Sequence, residues 1–152
     1  MMSKLSLDIF KLVVQNSPLV SIDFLVVNNN RYLLGKRKNP PANGFYFTVG
    51  GRIFKNEKIE DAQRRILKEE LNINDEITSR SKFLGVFEHF YDDSIFGNNI
   101  STHYVNLAYL VGIKIPDNLP DVQHSEYVWF TKDEIMKNEK IHNYVKLYFE
   151  RV

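Results

Sequence analysis

Two adjacent glycines, Gly50 and Gly51, open the stretch GGRIFKNEKIEDAQRRILKEELNI, and two adjacent carboxylates, Glu69 and Glu70, lie near its end. Apolar residues recur between them with helical spacing, and helical residues advance by about 100° each. With Ile66 at zero, Ile59 and Ala62 fall within roughly 40°, and Leu67 and Leu71 lie further round at roughly 100° and 140°. Glu70 falls at roughly 40°, inside the apolar arc, while Glu69 stands at its edge. Glu57, Glu60, Asp61, Arg64, Arg65 and Lys68 are expected on the opposite, solvated face. A carboxylate in the apolar arc loses hydration, which costs several kcal/mol unless it is paired or bound to metal. Glu69 can pair with Arg65 four residues back. Glu70 has no partner so placed. Three readings stand: an arginine from a sheet meets Glu70, the helix ends before it, or a hard cation with oxygen ligands holds it. Mg²⁺ with a phosphate-bearing substrate fits the last.

A second polar residue breaks an apolar run. Asp23 lies in VSIDFLVV, where alternation faces it the same way as Ser21 and Leu25, so partial burial is expected. A hydrogen-bonding role at a strand edge is the plainer use of such a residue.

The elements that would position these groups read as follows. A short helix over 5–15 precedes PLVSIDFLVV as a strand; NNN turns the chain, and RYLLGKR returns as the second strand of a hairpin. KNPPANG is a turn-rich loop before a short strand, FYFTV. Asn56 is the expected N-cap of the central helix, which runs to about Leu71. SKFLGVFEHFY and THYVNLAYLVGIKI are long β-rich runs. PDVQH reads as part of a loop before the strand SEYVWF, and TKDE has capping-box spacing, Thr131 to Glu134, at the start of a helical C-terminus. Several strands, one central helix and helical ends predict an α/β (α+β) fold, a mixed β-sheet sandwich flanked by helices.

Bulk composition narrows the classes. At 152 residues with 43% hydrophobic content, the chain suits one domain, 1–152, with a substantial core. Twenty basic residues nearly balance nineteen acidic ones, so nothing in the charge argues for nucleic acid or an anionic membrane. The absence of cysteine excludes disulfides, thiolate catalysis and zinc–thiolate sites. No apolar run approaches the ~20 residues of a membrane span. A soluble cytoplasmic protein is expected.

Gly51, Glu57, Arg65, Glu69 and Glu70 have the spacing of the Nudix box, and the chain resembles that family over most of its length. Two positions depart: the box normally has glutamate where Ile66 stands and glycine where Asn72 stands. Asparagine also tolerates a left-handed helix end, whereas the missing carboxylate implies a site of lower negative charge holding a single ion. PLVSIDF, LLGKR, GGR, EHFYDD, THYV and above all PDVQH before YVWF resemble the GDP-mannose mannosyl hydrolase branch. Members of that branch attack the sugar anomeric carbon with inversion and release GDP and free hexose.

That resemblance implies a Nudix-type fold and Mg²⁺ held by the Gly50 carbonyl, the Glu70 carboxylate and the Gln123 side chain. It implies His124 as the general base toward water, a task suited to an imidazole titrating near neutrality. Arg37 and Arg52 would contact the diphosphate, because a guanidinium fork donates two bonds at once. Tyr104 would donate its hydroxyl to the departing nucleotide, Asp23 would face positive charge developing on the sugar, and His89 would line the site and orient substrate. Lys4, Leu5 and Phe10 would serve guanine recognition, with the N-terminal helix also contributing to a homodimer. Taken without the resemblance, His124 and the two arginines read as solvated surface residues, and Tyr104 and Phe10 as packing residues. Two other functions stay open: a Nudix pyrophosphatase cutting a nucleotide sugar at phosphorus, and a nucleotide-sugar-binding module without catalysis.

Overall fold

The computed structural model describes residues 4–74, 80–115, 119–120 and 123–152; Asp121 and Val122 of PDVQH lie outside them. Helix α1 (Leu7–Asn16) leads into β1 (Leu19–Asn28) and β2 (Arg31–Arg37), followed by the short strands β3 (Tyr46–Phe47) and β4 (Val49–Arg52). After α2 (Ile59–Leu71) come β5 (Ser81–Tyr91), β6 (Thr102–Gly112) and β7 (His124–Phe130), then helices α3 (Lys132–Lys137) and α4 (Asn143–Tyr148).

The strands form one seven-stranded sheet of order β3-β2-β1-β6-β5, with β4 paired to β1 and β7 to β2. Only β1 and β6 run parallel among the described pairs. The β1–β2 hairpin turns at Asn29 and Asn30, both at positive φ. Such a turn twists with its strands, and asparagine tolerates it.

Strand β1 is covered on both faces. Ile22, Phe24 and Val26 pack with Ala62, Ile66, Leu67 and Leu71 of α2, whereas Leu25 packs with Ile135, Val145 and Tyr148 of the C-terminal helices. The result is the expected helix-flanked sandwich. Alternation therefore turns Ser21 and Asp23 toward the side of the C-terminal helices, and both are buried.

Several local expectations need correction. Helix α1 begins at Leu7, capped by the Ser6 hydroxyl. The N-cap of α2 is Lys58, without a side-chain bond, while Asn56 occupies a turn at φ 67°. Ile59, as the first helical residue, is 44% exposed although the wheel places it in the apolar arc. FYFTV is two strands parted at Thr48, and the helical C-terminus is two short helices, the first opened by the predicted Thr131–Glu134 capping box. Asn72 ends α2 in the left-handed conformation, at φ 53° and ψ 36°. Among the described residues, no helix is long and apolar enough to cross a membrane.

Candidate active site

Strand register assembles the site. Asp23 and Ser21 on β1 pair with Gly50 and Arg52 on β4, and on the other edge Ser21 faces Asn106 of β6. Tyr104, two residues before Asn106 and so on the same face, pairs with His89 of β5. Arg37, at the end of β2, pairs with His124 at the start of β7. Asp23, Arg37, Gly50, Arg52, His89, Tyr104, Gln123 and His124 line one pocket of ≈ 200 Å³, together with Ser21, Pro41, Thr48, Tyr91 and Asn106.

Glu70 is not among the residues that line this pocket; it is buried, with only 7% of its surface exposed. Burial pushes its carboxyl up to about 7, against the pull of Arg37 and Lys4. Its Oε2 stands 3.7 Å from His124 Nδ1. The two do not form an ion pair, because burial and the nearby Arg37 guanidinium lower His124 to about 4, leaving it neutral at ordinary pH. Among the described residues, no hydrogen bond reaches the Glu70 carboxylate, and His124 Nε2 is buried without a partner. Gly35 leaves room for the imidazole: a Cβ there would lie 2.5 Å from His124 Cγ. His124 is thus a buried strand residue, not the loop histidine that PDVQH suggests.

Asp23 is the second buried carboxylate. Tyr148 of α4 donates its hydroxyl to Asp23 Oδ2. Burial raises the Asp23 carboxyl, against hydrogen bonds from Tyr148, Asn106 and Thr48 and the Arg37 charge. His89 stacks flat on Tyr144, with centroids 4.2 Å apart, and burial lowers it to about 4.

The solvated-face expectation fails for Glu57 and Arg65. The Glu57 side chain is only 1% exposed and receives Arg65 Nε at 2.7 Å and Nη2 at 3.0 Å. It also accepts the Phe54 amide at 2.9 Å. Glu57 precedes the first helical residue, so the wheel has no authority over it. Arg65 further donates to Arg52 O at 2.7 Å and to Glu69 at 3.1 Å, and stacks 3.9 Å from the Phe54 ring centroid. Glu69 itself is exposed.

The N-terminal residues meet the site only at its margin. Phe10 receives the Arg52 guanidinium 4.9 Å above its ring, and its centroid lies 5.7 Å from that of Phe96. Lys4 and Leu5 are exposed, and none of the three lines the pocket. Sequence reasoning missed Asn106 and Tyr148. Asn106, polar amid the apolar residues that follow Tyr104 and two residues from it, carried a signal. Tyr148 carried none.

Among the described residues, no group of three His, Asp or Glu side chains is placed to hold a metal.

The family model described as NUDIX domain matches residues 18–150. The low-salt glycan biosynthesis protein Agl8 of Haloferax volcanii is 41% identical over 144 residues, 94% of this chain and 87% of that one. The ADP-ribose pyrophosphatase of Methanocaldococcus jannaschii is 36% identical over 70 residues, 46% of this chain and 40% of that one. The crystal structure of the MutT NUDIX hydrolase from Burkholderia pseudomallei superposes with a TM-score of 0.72 at 28% identity, covering 90% of this chain and 99% of that chain.

Proposed function

The chain belongs to the Nudix hydrolase family, and we propose that it hydrolyses GDP-mannose, and GDP-glucose with it, to GDP and free hexose by water attack at the anomeric carbon with inversion. The observation that carries this reading is the content of one pocket: a buried carboxylate, Asp23, an uncharged imidazole, His124, and two guanidiniums, Arg37 and Arg52. Carbon-centred displacement by water needs those groups, a base for the water, an anion near the sugar and cations on the diphosphate. The relative named for glycan biosynthesis supports a sugar-bearing substrate. Ile66 adds weight, since it stands where the box normally has a carboxylate and is buried in the core against α2's neighbours.

His124 Nδ1 lies 3.7 Å from Glu70 Oε2 and 3.5 Å from the Tyr127 hydroxyl, and in this reading Nδ1 carries the proton and Nε2 is the acceptor. Nε2 takes a proton from water as the oxygen bonds to the anomeric carbon; the carbon–oxygen bond to GDP breaks, and GDP leaves with the electron pair. Arg37 and Arg52 receive the diphosphate charge, and the Tyr104 hydroxyl hydrogen-bonds the departing oxygen. Asp23 stabilises the positive charge that grows on the sugar ring as the bond lengthens.

The residues fit a divalent ion. Burial that raises the Glu70 carboxyl to about 7 favours a cation beside its ionised form. A Cβ on Gly50 would collide with Asp23 Oδ1 and lie 2.5 Å from Ile22 O, so only glycine fits the backbone here. The Gly50 carbonyl, Glu70 and Gln123 would hold one Mg²⁺, which when bound neutralises the diphosphate. A homodimer belongs to the same reading, supported by the exposed apolar side chains Leu7, Ile9 and Leu12 of α1.

The second reading, cleavage at phosphorus, is favoured by the partial match to a pyrophosphatase. Turnover in ¹⁸O-labelled water separates the two: label is expected in the hexose, and label in a phosphate product defeats the proposal. A chain that binds GDP-sugars with no turnover at all would leave only a binding module.

A further inference from the structure

Tyr148 is fully buried, and its ring meets Phe87 edge-on at a centroid separation of 4.9 Å. Phenylalanine would serve that packing equally well. A buried hydroxyl is costly unless it is bonded, and this one has a single proton to give. Three acceptors surround it: Asp23 Oδ2 within hydrogen-bond reach, and Asn106 Oδ1 and His89 Nε2, each at 3.3 Å. The bond to the carboxylate is the shortest and the charge-assisted one, so it takes the proton. Asn106 is itself held, its Nδ2 donating to Ser21 Oγ at 2.8 Å.

The two Asp23 oxygens therefore have different surroundings. Oδ2 is tied to α4 through Tyr148, while Oδ1 lies against the Gly50 α-carbon, where a Cβ would collide with it. Asn106 and Thr48 also hydrogen-bond this carboxylate, and the short charge-assisted bond from Tyr148 restrains its rotation at Oδ2. We propose that Tyr148 is a positioning residue: its hydroxyl anchors Asp23 Oδ2 and thereby orients Oδ1 toward the β4 side of the pocket, where substrate is bound. This rests on the reading that Asp23 meets the charge developing on the sugar.

The test is a double-mutant cycle of Tyr148→Phe and Asp23→Asn, with kcat and KM measured for GDP-mannose hydrolysis and GDP affinity measured by calorimetry. Tyr148→Phe is expected to lower kcat on the order of 10–10²-fold, as misorientation of a reacting group does, with KM and GDP affinity kept within about 2-fold. In the Asp23→Asn background the same change should cost less than about 3-fold, because the group it orients is already gone. Losses that multiply, or an unchanged kcat in Tyr148→Phe, overturn the proposal. Replacement of Tyr148 by 3-fluorotyrosine retains shape and hydroxyl and covers the case in which Tyr148→Phe does not fold. It is expected to keep kcat within about 3-fold, and a loss as large as that expected for phenylalanine would also overturn the role. The cycle reports coupling between the two residues whichever bond is cleaved, and the ¹⁸O label in wild-type product separately decides the reaction.

Discussion

His124 Nδ1 and Glu70 Oε2 stand 3.7 Å apart with opposite displacements, the imidazole lowered to about 4 and the carboxyl raised to about 7. Burial is the largest cause of both shifts, and it disfavours whichever form is charged. At neutral pH the pair is therefore an uncharged imidazole beside a carboxyl close to its midpoint.

Glu70→Gln keeps the shape and removes the charge. Without metal its Tm is expected to equal or exceed that of the wild type, since a desolvated carboxylate is gone. Saturating Mg²⁺ should stabilise the wild type, by about 2.7 kcal/mol at one hundred times Kd, and leave Glu70→Gln unmoved. Thermal melts with and without Mg²⁺ decide, and equal metal-induced shifts in both proteins would remove Glu70 from the ligand set.

His124→Gln should lower kcat on the order of 10²–10⁴-fold, the usual contribution of a general base. GDP affinity should change little, because Arg37 and Arg52 are untouched. Steady-state kinetics alongside GDP titration reads the split, and turnover surviving at wild-type rate removes His124 as the base.

Arg65→Met strands the buried Glu57 carboxylate. The loss is expected at about 2–4 kcal/mol, at the lower side for a buried pair because Arg65 is 22% exposed. Tm should fall on the order of 5–15 °C. Adding Glu57→Leu should recover part of it, and an additive second loss would show that the pair is not what matters.

Acidification should destabilise the fold. His89, His124 and His142 are all lowered to about 4, chiefly by burial, so each takes up a proton on unfolding between pH 6.5 and 4. Their contribution is complete above pH 6.5 and lost as pH falls toward 4. Glu70, raised to about 7, releases a proton on unfolding in that range and opposes the trend, and the raised Asp23 acts in the same direction. Three imidazoles against Glu70 leave a net uptake of at most about two protons, or about 2.7 kcal/mol per pH unit at its steepest. Urea midpoints at pH 7, 6 and 5 should fall in that order; a flat series contradicts the balance.

Periodicity made the two buried carboxylates legible. The 3.6-residue period turned Glu70 inward, and the two-residue period did the same for Asp23. The capping box and the asparagine helix end were equally readable, because each is a local pattern. His124 was misplaced because PDVQH looks like a loop by composition, whereas its strand begins there through pairing with Arg37 far back in the chain. Glu57 was misplaced because the helical phase was extended ahead of the first helical residue. Tyr148 was invisible because its meaning depends on a partner in β1, and no local pattern encodes that distance.

The bond between Tyr148 and Asp23 joins residues 125 positions apart. On a ribosome adding about 5–20 residues per second, the nascent chain spends roughly 6–25 s with the first strand made and its cover not yet translated. Throughout that interval the aspartate is free to hydrate, and the pocket exists only as separate walls. Its completion waits on α4, so a messenger truncated within that helix would yield a β1 aspartate without its anchor.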